Sequence, residues 1–204
     1  MKHTSGKFIS LEGMDGAGKI THIPDIIAQL QQRGVEVVST REPGGTKLGE
    51  QLREILLHEP MHAETEAMLM FAARREHIAQ VIQPALARGA YVLTDRFSDA
   101  TYAYQCGAKG VSAEKIMQLE QWVQMGLQPD ITLLFDVPPE VSLQRLSNAR
   151  TPDKFEREGL AFFAQLRTSY LQRAAQFPQR FRLIDANQAL EKVKVLVSDI
   201  IATI

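Results

Sequence analysis

Disulfides are out of reach for this chain: it has one cysteine among 204 residues, Cys106, and a lone thiol has no partner within the molecule. There is no Cys-x-x-Cys pair and no His-rich cluster, so no structural metal site is offered either. An excess of charge is also lacking. The 23 Lys and Arg nearly cancel the 24 Asp and Glu, leaving a net charge of -1 and a pI near 6.5, which argues against a surface built to neutralise a nucleic-acid backbone. No apolar run approaches the length of a membrane span, and the run after Met1–Lys7 is too short for a signal-peptide core. Repeats, low-complexity tracts and linkers are absent. The expectation is one domain over residues 1–204, with an ordinary core from its 45% hydrophobic residues. It is expected to be cytoplasmic, with neither nucleic acid nor membrane as a partner.

What is present begins at Phe8-Ile-Ser-Leu-Glu-Gly-Met-Asp-Gly-Ala-Gly-Lys-Ile-Thr21, an apolar run that breaks into a glycine-rich loop. Gly13, four further residues and then Gly18-Lys19 form the spacing of a phosphate-binding loop. Glycines let consecutive backbone N–H groups converge on phosphate oxygens. Lys19 adds a positive charge, and the helix starting there turns its positive dipole end to the anion. Ile20 stands where such loops carry the Ser or Thr that ligates magnesium. Isoleucine cannot ligate a hard cation, and Thr21 is rotated by about 100° around the helix.

Strands are predicted over Lys7–Glu12, Val35–Thr40, Tyr91–Asp95, Ile131–Asp136 and Arg182–Asp185, most of them ending in a polar or acidic residue. Ile131-Thr-Leu-Leu-Phe135 lacks a clean period of two, as a strand covered on both faces does. Helical patterns cover Ile23–Arg33, Glu64–Arg88 and Ser112–Met125, each followed by a glycine stop. Pro24 is expected to cost the first helix a hydrogen bond and bend it. The alternation implies an α/β fold with a five-stranded parallel doubly wound sheet, whose ligands sit at the carboxyl ends of the strands.

Further motifs follow the later strands: Thr40-Arg-Glu-Pro-Gly-Gly-Thr46, Phe71-Ala-Ala-Arg-Arg75, Thr94-Asp-Arg-Phe-Ser-Asp-Ala-Thr101, Tyr102-Ala-Tyr-Gln105 and Asp153-Lys-Phe-Glu156. In this order and over nearly the whole length, the chain resembles the bacterial thymidylate kinase family. The resemblance implies a P-loop nucleoside monophosphate kinase fold. It also implies phosphorylation of dTMP by ATP with Mg2+ in dTTP synthesis, and a homodimer. A kinase for another pyrimidine monophosphate remains an alternative because fitting a thymine methyl gains only about 1–3 kcal/mol, and a nucleotide-binding relative with weakened or lost catalysis remains one because Ile20, Cys106, Ala108, Lys109 and Lys154 depart together.

The resemblance assigns ATP to Gly13, Met14, Asp15, Gly16, Ala17, Gly18, Lys19, Ile20, Thr21, Arg145, Arg150 and Gln188, the last in a turn that would also serve as a plain helix cap. Catalysis falls to Lys19, Asp15, Asp95 and Arg150, with Asp15 and Asp95 near the metal. Arg150 belongs to a candidate lid at about 147–157, whose other cations are Lys154 and Arg157. The acceptor nucleotide is assigned to Arg41, Glu42, Pro43, Phe71, Arg75, Arg96, Thr101, Tyr104 and Gln105. Phe71 and Arg75 share a helix face. Read alone, an aromatic there is more often core than a base platform, and Arg74 competes with Arg75 if the register shifts by one. Cys106-Gly-Ala-Lys109 departs from the family's glycine-rich, arginine-ended continuation, and Lys154 from its lid arginine; lysine lacks arginine's planar fork.

Overall fold

The computed structural model describes residues 6–147, 154–155 and 158–204. Strands β1 (Phe8–Glu12), β2 (Val37–Arg41), β3 (Tyr91–Asp95), β4 (Ile131–Asp136) and β5 (Phe181–Asp185) form one sheet in the order β2-β3-β1-β4-β5. Every pairing is parallel. Central β1 is buried at every residue, and its side chains alternate between two cores, as the period of two demands. Ile9 and Leu11 join Leu93 and Leu133 on one face, while Phe8 joins Val92 on the other.

Helix α1 (Lys19–Gln32) leaves the phosphate loop directly, starting four residues before the helical pattern at Ile23. Pro24 lies inside it, where its missing N–H deprives the Ile20 carbonyl of its partner. Helix α2 (Lys47–His58), capped by Thr46, was not anticipated. The predicted helix over Glu64–Arg88 is corrected: α3 (Ala63–His77) passes through a π-helical stretch, Ile78–Ile82, into α4 (Gln83–Ala87). Pro84, at the start of α4, accounts for the break, because a proline ring clashes with an α-helical carbonyl one turn earlier and widening the ladder relieves it. A short α5 (Ser98–Thr101) likewise runs into π-helical Tyr102–Ala108. Then come α6 (Ala113–Gln124), α7 (Pro139–Ser147), α8 (Leu160–Gln176) and α9 (Leu190–Ala202). Among the described residues, no helix is long and apolar enough to cross a membrane.

Candidate active site

The carboxyl ends of β1, β2 and β3 bring three loops together, as a doubly wound sheet does. The loop after β1 turns through Gly13 (φ 133°) and Gly16 (φ 78°). A Cβ at Gly13 would lie 2.4 Å from the Phe135 carbonyl oxygen, and one at Gly16 2.6 Å from that of Ser142, so both positions require glycine. The Lys19 ammonium donates to the carbonyls of Gly13 and Met14 at 3.1 Å each. Burial, followed by the Arg96 charge, lowers its pKa. Ile20 is 67% exposed at the helix start, with no oxygen to offer a cation.

Arg96 organises the neighbouring cavity. Its backbone is left-handed (φ 70°) and is held on both sides: Arg96 N–H donates to the Leu11 carbonyl at 2.9 Å, and Phe97 N–H to a Glu12 carboxyl oxygen at 2.7 Å. The guanidinium donates to Asp15 Oδ1 at 2.6 Å, to Tyr104 Oη at 3.0 Å and to Tyr170 Oη at 2.8 Å. Tyr104 in turn donates to Asp15 Oδ2 at 2.8 Å. Burial opposes the charge on Asp15, but Arg96 and Lys19 outweigh it and hold the carboxyl well below its ordinary range.

A cavity of about 170 Å³ opens here, lined by Asp15, Ile20, Arg41, Glu42, Pro43, Arg53, Met70, Arg74, Asp95, Arg96, Thr101, Tyr104, Gln105 and Phe155, among others. Arg41 pairs with Glu50 at 2.8 Å and is half exposed. Arg53, which the sequence did not single out, donates to the Pro43 carbonyl at 2.9 Å. Asp95 Oδ1 is buried without a hydrogen-bond partner.

Phe71 and Arg75 do not line this cavity. Phe71 is 1% exposed in the core with Ala67 and Ile78, and Arg75 donates to the Val123 carbonyl at 3.2 Å. The same helical spacing one residue earlier brings Met70 and Arg74 to the cavity wall instead. Arg74 Nε donates to Glu42 at 2.7 Å and Nη2 to Thr101 at 3.1 Å. The guanidinium lies 4.6 Å from the Phe71 ring centroid and 5.2 Å from that of Phe97. Its Nη1 is buried and unpaired.

Glu66 is fully buried on α3 and collects two lysines. Gln105 and Lys109 donate to it at 2.8 Å, and Lys154 pairs with it at 2.8 Å. Both lysines also lie over the Phe155 ring. Arg150, Arg157 and most of the 147–157 lid lie outside the described residues. On the far side of the phosphate loop, Arg145 links the carbonyls of Gly16 and Ala186 at 3.3 and 3.1 Å, and Gln188 donates to Asp185 at 3.1 Å. Thr21 is exposed on α1. Burial raises the pKa of Cys106, which keeps it a thiol at neutral pH.

A phosphate loop at the centre of a parallel sheet, facing a cavity walled by arginines, defines a P-loop nucleoside monophosphate kinase. The family model for thymidylate kinase matches residues 11–197, and the chain belongs to the thymidylate kinase family. It is 66% identical over 195 residues to the thymidylate kinase of Methylobacillus flagellatus, covering 96% of both chains. With that of Cupriavidus metallidurans it shares 61% over 199 residues, 98% of this chain and 99% of the other. Among solved structures, thymidylate kinase from Ehrlichia chaffeensis superposes with a TM-score of 0.78 at 31% identity, covering 96% of this chain and 98% of that one.

Proposed function

We propose that the protein transfers the γ-phosphoryl group of ATP to dTMP, yielding dTDP and ADP in the supply of dTTP. The observation that carries this reading is the cavity beside the phosphate loop, where Arg41, Arg53 and Arg96 concentrate positive charge and Arg74 presents an unpaired N–H. Guanidinium forks suit a monophosphate. The Arg74 Nη1–H suits a carbonyl of the pyrimidine, and Met70 supplies a polarisable surface for the ring. Thr101, Tyr104 and Gln105 close the nucleoside end.

The reaction demands positioning and charge stabilisation more than covalent chemistry. Lys19 spends two of its protons on loop carbonyls and keeps the third for a phosphate oxygen. The loop N–H groups bind the ATP phosphates, and Arg145 and Gln188 border the purine side. The lid arginine's role is assigned to Arg150 on the sequence pattern alone. A magnesium ion, when bound, neutralises charge on the transferring phosphates. Among the described residues no three His, Cys, Asp or Glu side chains cluster for a metal. Magnesium needs no such cage, since it keeps several waters and takes one or two carboxylates plus phosphates. Asp95, with its free buried oxygen, fits that demand best. Asp15 is already engaged by Arg96 and Tyr104, and so contributes through its negative charge.

The apolar face of α3 and α6, where Trp122 is 79% and Met68 53% exposed, supports a homodimer built on that surface, and the single cysteine suits a cytoplasmic enzyme. Measuring ADP release with ATP, Mg2+ and each of dTMP, dUMP, dCMP, dGMP and dAMP tests the function. Turnover selective for dTMP is expected, and binding of dTMP without turnover would favour a non-catalytic relative. Light scattering tests the dimer, for which twice the 22.8 kDa chain mass is expected.

A further inference from the structure

We propose that His77 is a positioning residue for base recognition, acting through Glu42 to fix the guanidinium of Arg74 in the cavity. The inference rests on the reading that Arg74 meets the pyrimidine. His77 is the last residue of α3 and fully buried. Its Nδ1 lies 2.9 Å from Glu42 Oε1, and its Nε2 2.7 Å from Thr40 Oγ1. The other Glu42 oxygen takes the Arg74 Nε–H at 2.7 Å. From half-buried Thr40 on the edge strand β2, the buried side chains of His77, Glu42, Arg74 and Thr101 therefore form one continuous relay to the nucleoside end of the cavity.

The protons along this relay follow from the chemistry of its members. Burial opposes the charge of Glu42, but Arg74 and the His77 hydrogen bond outweigh it and lower its pKa, so the carboxylate only accepts. The His77 Nδ1 therefore carries a hydrogen. In the neutral ring Nε2 accepts from the Thr40 hydroxyl. Each Glu42 oxygen thus has one donor, which fixes the carboxylate plane and, through Nε, the plane of Arg74. The rings of Phe71 and Phe97 pack against the guanidinium, leaving Nη1 as its free donor. The loop after β2 packs on the relay: a Cβ at Gly45 would lie 2.6 Å from both the His77 ring and Thr40 Oγ1.

Asparagine places its amide nitrogen as many bonds from Cα as Nδ1 is, and glutamine as many as Nε2 is. His77→Asn therefore keeps the donor to Glu42, whereas His77→Gln keeps only the Thr40 end. Calorimetric Kd values for dTMP and for thymidine, which has no phosphate, are measured alongside the KM for ATP. His77→Gln is expected to weaken dTMP and thymidine together by about tenfold, the scale of one hydrogen bond to a charged group, with the ATP KM unchanged. His77→Asn is expected to stay within about threefold of the unaltered chain. Equal losses in both variants, or a thymidine Kd unmoved by His77→Gln, would overturn the proposal. If His77→Gln does not fold, Thr40→Val tests the far end: a shared weakening of dTMP and thymidine by about threefold is expected, and unchanged constants overturn the relay. Binding of dTMP without turnover by the unaltered chain counts against the kinase reading alone, and absence of binding removes both.

Discussion

Exchanging Arg74 and Arg75 separately for glutamine tests which of two adjacent arginines serves the site. Arg74 balances a carboxylate in a region where both side chains are at most 5% exposed. Removing its charge leaves Glu42 buried with His77 as its remaining partner, a loss of about 3–5 kcal/mol by analogy with broken buried ion pairs. For a chain of this size each kcal/mol moves Tm by about 2–4 °C, so a fall of roughly 6–20 °C is expected. The lost charge-assisted hydrogen bond to the base is expected to lower kcat/KM for dTMP by about 10–100-fold. Arg75 is half-buried and makes one 3.2 Å bond to a backbone carbonyl. Its replacement is expected to cost about 0.5–1.5 kcal/mol and leave kcat/KM within about twofold of its starting value. Arg74→Lys keeps the charge without the fork, and is expected to recover much of the stability but little of the affinity. Urea unfolding and steady-state kinetics, run well below the lowest Tm, read both quantities. A kinetic defect in Arg75→Gln with Arg74→Gln near normal would refute the placement of Met70 and Arg74 at the base.

Ile20→Ser restores an oxygen at the phosphate loop for the loss of a largely exposed side chain, so magnesium half-saturation is expected to fall about tenfold at nearly constant stability; an unchanged metal dependence would show that the hydroxyl is not missed. Asp99 is fully buried between Arg173 at 3.0 Å and Arg180 at 2.6 Å, so Asp99→Asn is expected to cost about 3–5 kcal/mol in urea unfolding, and a cost under about 1 kcal/mol would refute that charge balance. Burial and then the Asp99 charge push the Glu12 carboxyl up from 4.5 to about 8. Because the folded state holds that proton more tightly, the stabilising contribution is full below about pH 4.5 and is lost as pH rises through about 8. The stability of the unaltered chain relative to Glu12→Gln is therefore expected to decline between pH 5 and 8.5, by on the order of a few kcal/mol, and a difference independent of pH would refute it.

The sheet was the legible part of this sequence, because buried parallel strands leave apolar runs whatever surrounds them. Tyr91–Asp95 and Ile131–Asp136 fall where they were expected, β1 and β5 shift by one residue at the start, and β2 shifts by two at the start and one at the end. The glycine stops mark three helical stretches, but α2, α7, α8 and α9 lack so plain a stop. At the site, loop chemistry was easier to read than helix register. Phosphate-loop glycines declare their backbone, whereas the letters of Phe71-Ala-Ala-Arg-Arg75 do not declare which face of the helix each occupies. A signal for the shifted register was available: Ala67, Phe71, Ile78 and Ile82 form one apolar stripe, which claims Phe71 for the core and leaves Met70, Arg74 and His77 on a different strip of the helix. Arg53 went unnoticed with the helix that carries it, although Thr46 was a legible N-cap. The lysines at positions 109 and 154 both pair with buried Glu66, a carboxylate with nothing in its local sequence to mark it.

The proposed reaction moves a phosphoryl group from ATP to dTMP. It is tested most directly by incubating the purified protein with γ-labelled ATP, Mg2+ and dTMP and separating the products. Labelled dTDP is expected to appear in equal amount with ADP, and to vanish when dTMP is omitted. ADP with the label in inorganic phosphate, or no transfer from a chain that binds both nucleotides, would contradict it.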